Sequence, residues 1–346
     1  MRKRIQLIQY GLGAMGSLMV QLAAAKANLE YVGAVSASGR YSGVDLGEAS
    51  GIGRRLGITV KSSLEQVLEG KRADVMLHAT VSTMAELLPE ILPAVGAGLN
   101  VISVAEELSY PWERSPELAS ELDRVAKEHG VTVLGTGINP GFLMDLLPLN
   151  FSGLCGSVMA VRVRRVNDFS VYGQSVMKHM GANLTPEEFE SGLQNGSVVL
   201  HVGLPESIQM VARGLGWKLD QLTEERHALV SHTDRSAESI KIEAGRVCGF
   251  RQKARGQAKG NTIELEIFGI ILPNPLEDGV SPGTWVEIEG NPGIHAMISG
   301  GISQAGGLGT AAHAVNAIPV VVDAKPGLLT VKELAIASCL PLDSTQ

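Results

Sequence analysis

The stretch Ile5-Gln6-Leu7-Ile8-Gln9-Tyr10-Gly11-Leu12-Gly13-Ala14-Met15-Gly16 constrains the fold of this chain more than any other. A short apolar run reads as a buried strand and breaks into Gly-x-Gly-x-x-Gly. Apolar spacing through Leu18, Met19, Leu22 and Ala25 then reads as a helix. Strand, glycine turn and helix in that order are the context in which the motif predicts dinucleotide binding. Gly11 allows the tight turn, Gly13 lets backbone approach a pyrophosphate, and Gly16 lets the helix lie close on the strand. Leu12, Ala14 and Met15 complete the turn, and the helix start points its unpaired N–H groups at the phosphates.

The second strand, Leu29 to Val35, ends in Ser36-Ala37-Ser38-Gly39-Arg40. A site that prefers NAD usually places Asp or Glu here, on the ribose 2′-hydroxyl. This chain has small hydroxyls and an arginine instead. Ser36 and Ser38 are suited to donate to a 2′-phosphate and Arg40 to pair with it, which favours NADP(H), with NAD(H) as the alternative. An ordinary polar loop with a solvated arginine is the plain reading.

The chain of 346 residues is long enough for two domains, each with its own core. A net charge of −7 and the lack of a basic, aromatic-interleaved surface argue against nucleic-acid partners. No apolar run reaches the ~18 residues that span a membrane, and the glycine motif stands where a signal peptide would carry its cleavage region. Cys155, Cys248 and Cys339 lack metal-ligand spacing and read as small buried thiols of a cytoplasmic protein. No metal site is expected.

Beyond Arg40 the order β-α-β-α continues. Ile58 to Val60 reads as a short strand, Ser62 to Leu68 as a serine-capped helix and Asp74 to Thr80 as a strand. Met84 to Ala97 is helical, Asn100 to Val104 a strand, Pro116 to His129 an amphipathic helix and Val131 to Leu134 a strand. From about Leu147 strands dominate: Val158 to Val166, Ser197 to His201, Ala228 to Ser231, Ser239 to Val247 and Asn261 to Ile271. Helices are expected from Thr185 and over Leu204 to Leu215. Ile302 to Val320 is helical in texture up to Pro319, and Gly327 to Val331 leads to a closing turn. The fold class is therefore α/β: a Rossmann-type doubly wound parallel sheet with a second α+β domain built on a mostly antiparallel sheet. The expected boundaries are residues 1–146 for the dinucleotide-binding domain, completed by a returning segment at about 302–346. Residues 147–301 form the substrate-binding and oligomerisation domain.

Ligands of an open α/β sheet sit beyond the carboxyl ends of its strands. Ala79, Thr80 and Val81 are candidates to line the nicotinamide ribose. One loop carries Glu106 and Glu107, the other Asn139, Phe142, Met144 and Asp145. A carboxylate beside the nicotinamide can hold an ammonium group or act as general base. Adjacent glutamates point differently, so one faces the pocket while the other caps a helix or meets solvent. Asn139 is a candidate for a substrate carboxylate or carbonyl and for the cofactor, although Asn-Pro-Gly is also a turn sequence. Tyr172, His179, His201 and His232 are polar candidates of the second domain, with Tyr172 and Gln174 to Met180 placed to cover the pocket. His313, among alanines, reads as a packed or capping residue.

Three segments together resemble the 2,4-diaminopentanoate dehydrogenase family: Gly11 to Gly16, Glu106-Glu107-Leu108-Ser109-Tyr110-Pro111, and Gly137-Ile138-Asn139-Pro140-Gly141-Phe142-Leu143-Met144-Asp145. The tail Thr310 to Pro319, with Pro326-Gly327-Leu328, is similar to the end of the same family, whose outer fold is like that of dihydrodipicolinate reductase. Some relatives act as amine dehydrogenases on simple ketones and ammonia. The resemblance implies an NAD(P)-dependent amine dehydrogenase: oxidative deamination of a small amine or diamino acid, reversible as reductive amination of the ketone with ammonia. It maps the active-site glutamate onto the Glu106–Glu107 pair, with Glu106 preferred. By the same resemblance Phe142, Met144 and Tyr172 would wall the pocket, and a homodimer through the second domain's sheet is expected by analogy. Residues for a diamino acid's carboxylate are not evident, so a simpler amine or ketone stays open. The alternatives are an imine or carbonyl reductase of the same architecture and a non-enzymatic NADP(H) sensor.

Overall fold

The structure is a computed structural model and describes residues 4–172, 174–237, 240–303 and 307–343. The chain divides into two compact units, Met1–Phe142 with Gly307–Gln346, and Leu143–Gly306.

The first unit carries β1 (Ile5–Tyr10), β2 (Leu29–Val35), β3 (Val75–His78), β4 (Asn100–Ser103), β5 (Thr132–Gly135) and, from the returning segment, β14 (Gly327–Leu329). They form one parallel sheet in the order β14-β5-β4-β3-β1-β2. Alternation along the strands points Ile8, Met76, Val101 and Val133 into one core. That core is closed by Leu87 and Ile91 of the Met84–Gly96 helix and Leu122 of the Pro116–Glu128 helix. Leu7, Leu77, Ile102 and Leu134 have the opposite parity and are also buried, so the sheet is covered on both faces. The chain starts in the sheet, steps to β2 at one edge, then crosses to β3 on the other side of β1. Tyr10 thus pairs with both Val35 and His78, and the order of the strands reverses at that point. Sheets of this kind bind their ligands at that point, in the crevice beyond the carboxyl ends.

Two details differ from the sequence expectation. Ile58 to Val60 is no strand: only single bridges join Thr59 to Asp45 and Lys61 to Val35. The loop is organised around a side chain instead, since the Asp45 carboxylate accepts the N–H groups of Gly47, Leu56 and Gly57 at 2.8–2.9 Å. At the other end, Pro319 does not stop the chain. It opens a second short helix, Ile318–Val322, because proline is tolerated in a first helical turn. The next element is an edge strand, β14, and the expected turn follows it as the 3₁₀ turn Val331–Glu333.

The second unit carries β6 (Ser157–Asp168), β7 (Gln221–Val230), β8 (Arg235–Ala237), β9 (Ile240–Ile242), β10 (Val247–Ala258), β11 (Asn261–Ile270), β12 (Gly283–Asn291) and β13 (Ile294–Ile298). Six of them make a sheet in the order β13-β12-β6-β11-β10-β7, in which only β6 and β11 run parallel. Ser197 to His201 forms no strand. Val198 and Leu200 are buried, but the backbone bonds from Val198 and Val199 go to Gly192 and His179, so burial here comes without a ladder. Nor is Ser239 to Val247 one strand. Ser239 lies outside the described residues, Ile240–Ile242 pairs with β8, and Val247 begins the long β10. β10 escapes an apolar scan because Arg251, Lys253 and Arg255 alternate with buried Gln252 and Ala254.

Truncating Ile102, fully buried in β4, should cost about 2–5 kcal/mol. A denaturant titration of Ile102→Ala checks this, with a lower midpoint and an unchanged slope expected.

Candidate functional site

The glycine turn lies at the crevice between β1 and β3. Gly11 has φ +92°, donates its N–H to Val35 O at 3.0 Å, and leaves so little room that a Cβ would stand 2.5 Å from Ala79 O. At Gly16 a Cβ would strike the Gly11 carbonyl, so the helix lies directly on the turn. Gly13 is the opposite case, with nothing within 4 Å of a Cβ position. The Ala14–Ala24 helix that follows has no side-chain cap and no acidic residue in its first turn. Its leading N–H groups and the positive end of its dipole therefore face an open space, and an anionic ligand fits there. Leu12 is buried, Ala14 exposed and Met15 half-buried. Beneath the turn, buried Gln9 donates from Nε2 to Gly11 O at 3.1 Å and accepts from the Tyr31 hydroxyl at 3.4 Å. These residues fit a dinucleotide cofactor.

After β2, Ser36 is buried and Ser38 and Arg40 are exposed. The two serine oxygens are 3.4 Å apart, and the Arg40 guanidinium lies 5.1 Å above the Tyr41 ring. Ala79 and Val81 are half-buried at the end of β3 and Thr80 is exposed.

The two glutamates divide sharply. Glu106 is half-buried at the head of a single 3₁₀ turn, Glu106–Ser109. Glu107 is buried: its Oε2 accepts the Met84 N–H at 2.8 Å and its Oε1 lies 3.2 Å from Arg114 Nε. The carboxylate of Glu107 thus caps the Met84–Gly96 helix and balances its positive end. Hydrogen bonds to a charged group contribute about 1.5–3 kcal/mol, enough to keep it there.

After β5, Asn139 precedes a cis peptide bond to Pro140. Thr136 Oγ1 is 2.8 Å from His313 Nδ1, Ile138 N donates to Thr310 Oγ1 at 3.3 Å, and the Phe142 and His313 rings are 5.2 Å apart. The returning helix Leu308–Asn316 thereby fixes the Asn139 loop. Burial lowers the pKa of His313, which keeps its ring neutral.

In the second unit Met144 is buried, and Asp145 is a structural cap that accepts from Leu146 N at 2.7 Å and Ser207 Oγ at 2.8 Å. His179 and His232 are exposed. Tyr172 stacks on Phe169 at 4.9 Å, and burial raises its pKa against the opposing pull of Arg165. Arg165 is the residue that the sequence reading missed. Its Nε donates to Asn167 at 2.8 Å, while its Nη1 is buried with no hydrogen-bond partner. Burial lowers its pKa to about 10. Thr284, its cross-strand neighbour in β12, also buries an oxygen without a partner. His201 feels the same guanidinium: burial first, then Arg165, lowers it to about 4. The signal for Arg165 lay in parity, since Val161, Val163 and Arg165 share the inward face of β6. Buried Gln9 and His78 were also passed over, each being a polar residue inside an apolar strand.

Residues 142–346 match the family profile described as the 2,4-diaminopentanoate dehydrogenase C-terminal domain, and residues 5–102 that of the dihydrodipicolinate reductase N-terminus. The 2,4-diaminopentanoate dehydrogenase of Acetoanaerobium sticklandii is 39% identical over 337 residues, which covers 96% of this chain and 94% of the relative. An amine dehydrogenase of Streptomyces virginiae is 29% identical over 341 residues, covering 94% of each chain. The solved amine dehydrogenase of Mycobacterium smegmatis superposes with a TM-score of 0.85 at 26% identity, over 97% of this chain and 98% of that one.

The depressed pKa of His201 has a consequence for stability. Below pH 6.5 the unfolded chain takes up a proton that the folded one refuses down to about pH 4, so stability should fall as pH drops through that window. Denaturant titrations across it should give a shallower fall for His201→Gln than for the parent.

Proposed function

We propose, since this chain belongs to the 2,4-diaminopentanoate dehydrogenase family, that it oxidises the amine-bearing carbon 4 of a 2,4-diamino acid and, in reverse, aminates the 4-oxo compound with ammonia. The NAD(P)-dependent oxidation of a CH–NH2 group is the reaction class of this chain. The observation that carries the diamino acid is Arg165. A buried guanidinium nitrogen without a partner is costly, and a substrate carboxylate is the group that relieves it. The unpartnered Thr284 hydroxyl beside it adds a donor. A simple ketone lacks a carboxylate, and its one carbonyl oxygen lies at the reacting carbon.

Glu106 is assigned the ammonia. Its carboxylate holds the ammonium, balances the cationic iminium carbon, and takes up or returns the proton when water adds. Glu107, engaged by Met84 and Arg114, holds the loop instead. A bound nicotinamide would supply the acceptor for the hydride that leaves the amine-bearing carbon. Gly11, Leu12, Gly13, Ala14, Met15 and Gly16 would hold the pyrophosphate, and Ala79, Thr80, Val81 and Asn139 would line the nicotinamide ribose. Ser36, Ser38 and Arg40, with no carboxylate among them, support a preference for NADP(H). Phe142, Met144 and Tyr172 are the candidates for apolar residues that would keep water from the iminium. The free thiols of Cys155, Cys248 and Cys339 support a reducing, cytoplasmic setting.

The test follows oxidation of NADPH and NADH with 2-amino-4-oxopentanoate, with and without ammonium. Consumption that requires ammonium is expected, and consumption that ignores it would point to a carbonyl reductase. Glu106→Gln should lower kcat by roughly 100-fold or more. Arg165→Met should raise KM for the amino acid by about 10-fold to 100-fold, with little change for a small ketone that lacks a carboxylate. Equal effects on both substrates would remove the carboxylate assignment.

A further inference from the structure

His78 ends β3 with its ring fully buried, stacked on Tyr10 at 5.5 Å. Its Nε2 is 2.7 Å from Glu90 Oε2 and 2.7 Å from Thr80 Oγ1, and its Nδ1 is 2.9 Å from Ser103 Oγ. The Thr80 hydroxyl also donates to the Glu90 carboxylate. Burial alone would push the Glu90 carboxyl up, but the bonds from His78 and Thr80 outweigh it and hold the group below the usual range. An ionised carboxylate only accepts, so Nε2 of His78 carries a proton and donates to it. With the ring proton on Nε2, Nδ1 is the nitrogen that can accept the Ser103 hydroxyl proton. The Ser103 oxygen is then left to accept the Ala105 N–H, at 3.1 Å.

The bonds form one directed string: Ala105 N–H to Ser103 Oγ, Ser103 O–H to His78 Nδ1, and His78 Nε2–H to Glu90. Ala105 is the residue on which the 3₁₀ turn of Glu106 begins. The same loop is tied to the end of β3 by Val104 N to His78 O at 3.2 Å and by Glu107 N to Ser82 O at 3.1 Å. The neighbours of His78 in β3, Val75, Met76 and Leu77, are apolar and buried. An apolar side chain at position 78 would fill the space without the desolvation that a polar group entails. What it could not supply is direction: a fully satisfied buried network fixes one arrangement.

We propose that His78 and Ser103 are positioning residues for Glu106, setting the place of its backbone through the Ala105 N–H. This rests on the reading of Glu106 as the carboxylate that handles ammonia. Displacements of about 1 Å can cost two orders of magnitude in rate, so the string has leverage on the chemistry without touching the substrate.

The test uses the full chain with NADPH, ammonium and 2-amino-4-oxopentanoate. Ser103→Ala removes the acceptor of the Ala105 N–H. His78→Gln keeps a donor for Glu90 but loses the acceptor for Ser103, whereas His78→Asn keeps that acceptor. Ser103→Ala and His78→Gln should each lower kcat by about tenfold, with the NADPH Kd, read by its fluorescence, and the Tm close to the parent. His78→Asn should recover most of the rate. Added to Glu106→Gln, Ser103→Ala should cause no further loss, since both then act on one group. An unchanged kcat in folded Ser103→Ala or His78→Gln would overturn the proposal. So would a loss that multiplies on the Glu106→Gln background, or an NADPH Kd that weakens in step with kcat. If Ser103→Ala does not fold, the two His78 variants carry the same comparison. A Glu106→Gln enzyme with the parent's rate would instead bring down the reading of Glu106 itself.

Discussion

A Cβ on Gly11 would stand 2.5 Å from the Ala79 carbonyl oxygen, so the exits of β1 and β3 can lie side by side only because that atom is missing. Everything at the cofactor end depends on this approach. It sets where the Ala14–Ala24 helix starts, and hence where its bare N–H groups point. It also brings the glycine turn against the Ala79–Thr80 loop, through which the neighbouring strand reaches Glu106. Gly16 repeats the constraint one helical turn later, against the carbonyl of Gly11 itself. A crossing this tight tolerates little rearrangement, which suits a site that must hold a phosphate without closing over it.

Polar side chains inside the apolar sheet stiffen this region. Gln9 and Tyr31 support the turn from below, and His78 joins β3, β4 and the Met84–Gly96 helix through Ser103 and Glu90. Each of these buried groups finds a partner, so the desolvation cost is met locally and the arrangement is unique. Arg165 and Thr284 in the second unit stand in contrast. Their unpartnered atoms are exceptions that no contact within the fold satisfies. The first unit thus satisfies these polar groups within the fold, whereas Arg165 and Thr284 of the second each bury an atom without a partner.

The Rossmann half was legible because its signals are local. Leu29 to Val35 is a strand as read, and the glycine turn with its strand and helix stands where the spacing put it. The mixed sheet was less so. β10 and β12 alternate charge with buried residues, and Arg162 pairs with Glu287 and Glu289 across strands. Such pairs are visible only once the register is known. Ser197 to His201 failed for the opposite reason, an apolar run in which Val198 and Leu200 are buried but no strand partner is present. Within the candidate site the Glu106–Glu107 pair was found by type, but its division of labour depends on the Met84 N–H, 23 positions away along the chain. Arg165 was hidden among three arginines, of which it alone shares parity with Val161 and Val163.

The central claim, that a carbon–nitrogen bond is made and broken beside a carboxylate, is tested most directly by following the nitrogen. The enzyme, NADPH, 2-amino-4-oxopentanoate and ammonium labelled with the heavy nitrogen isotope would be incubated and the product analysed by mass spectrometry and NMR. The account predicts a diamino acid with the label at carbon 4 only. A 4-hydroxy product without label would contradict it.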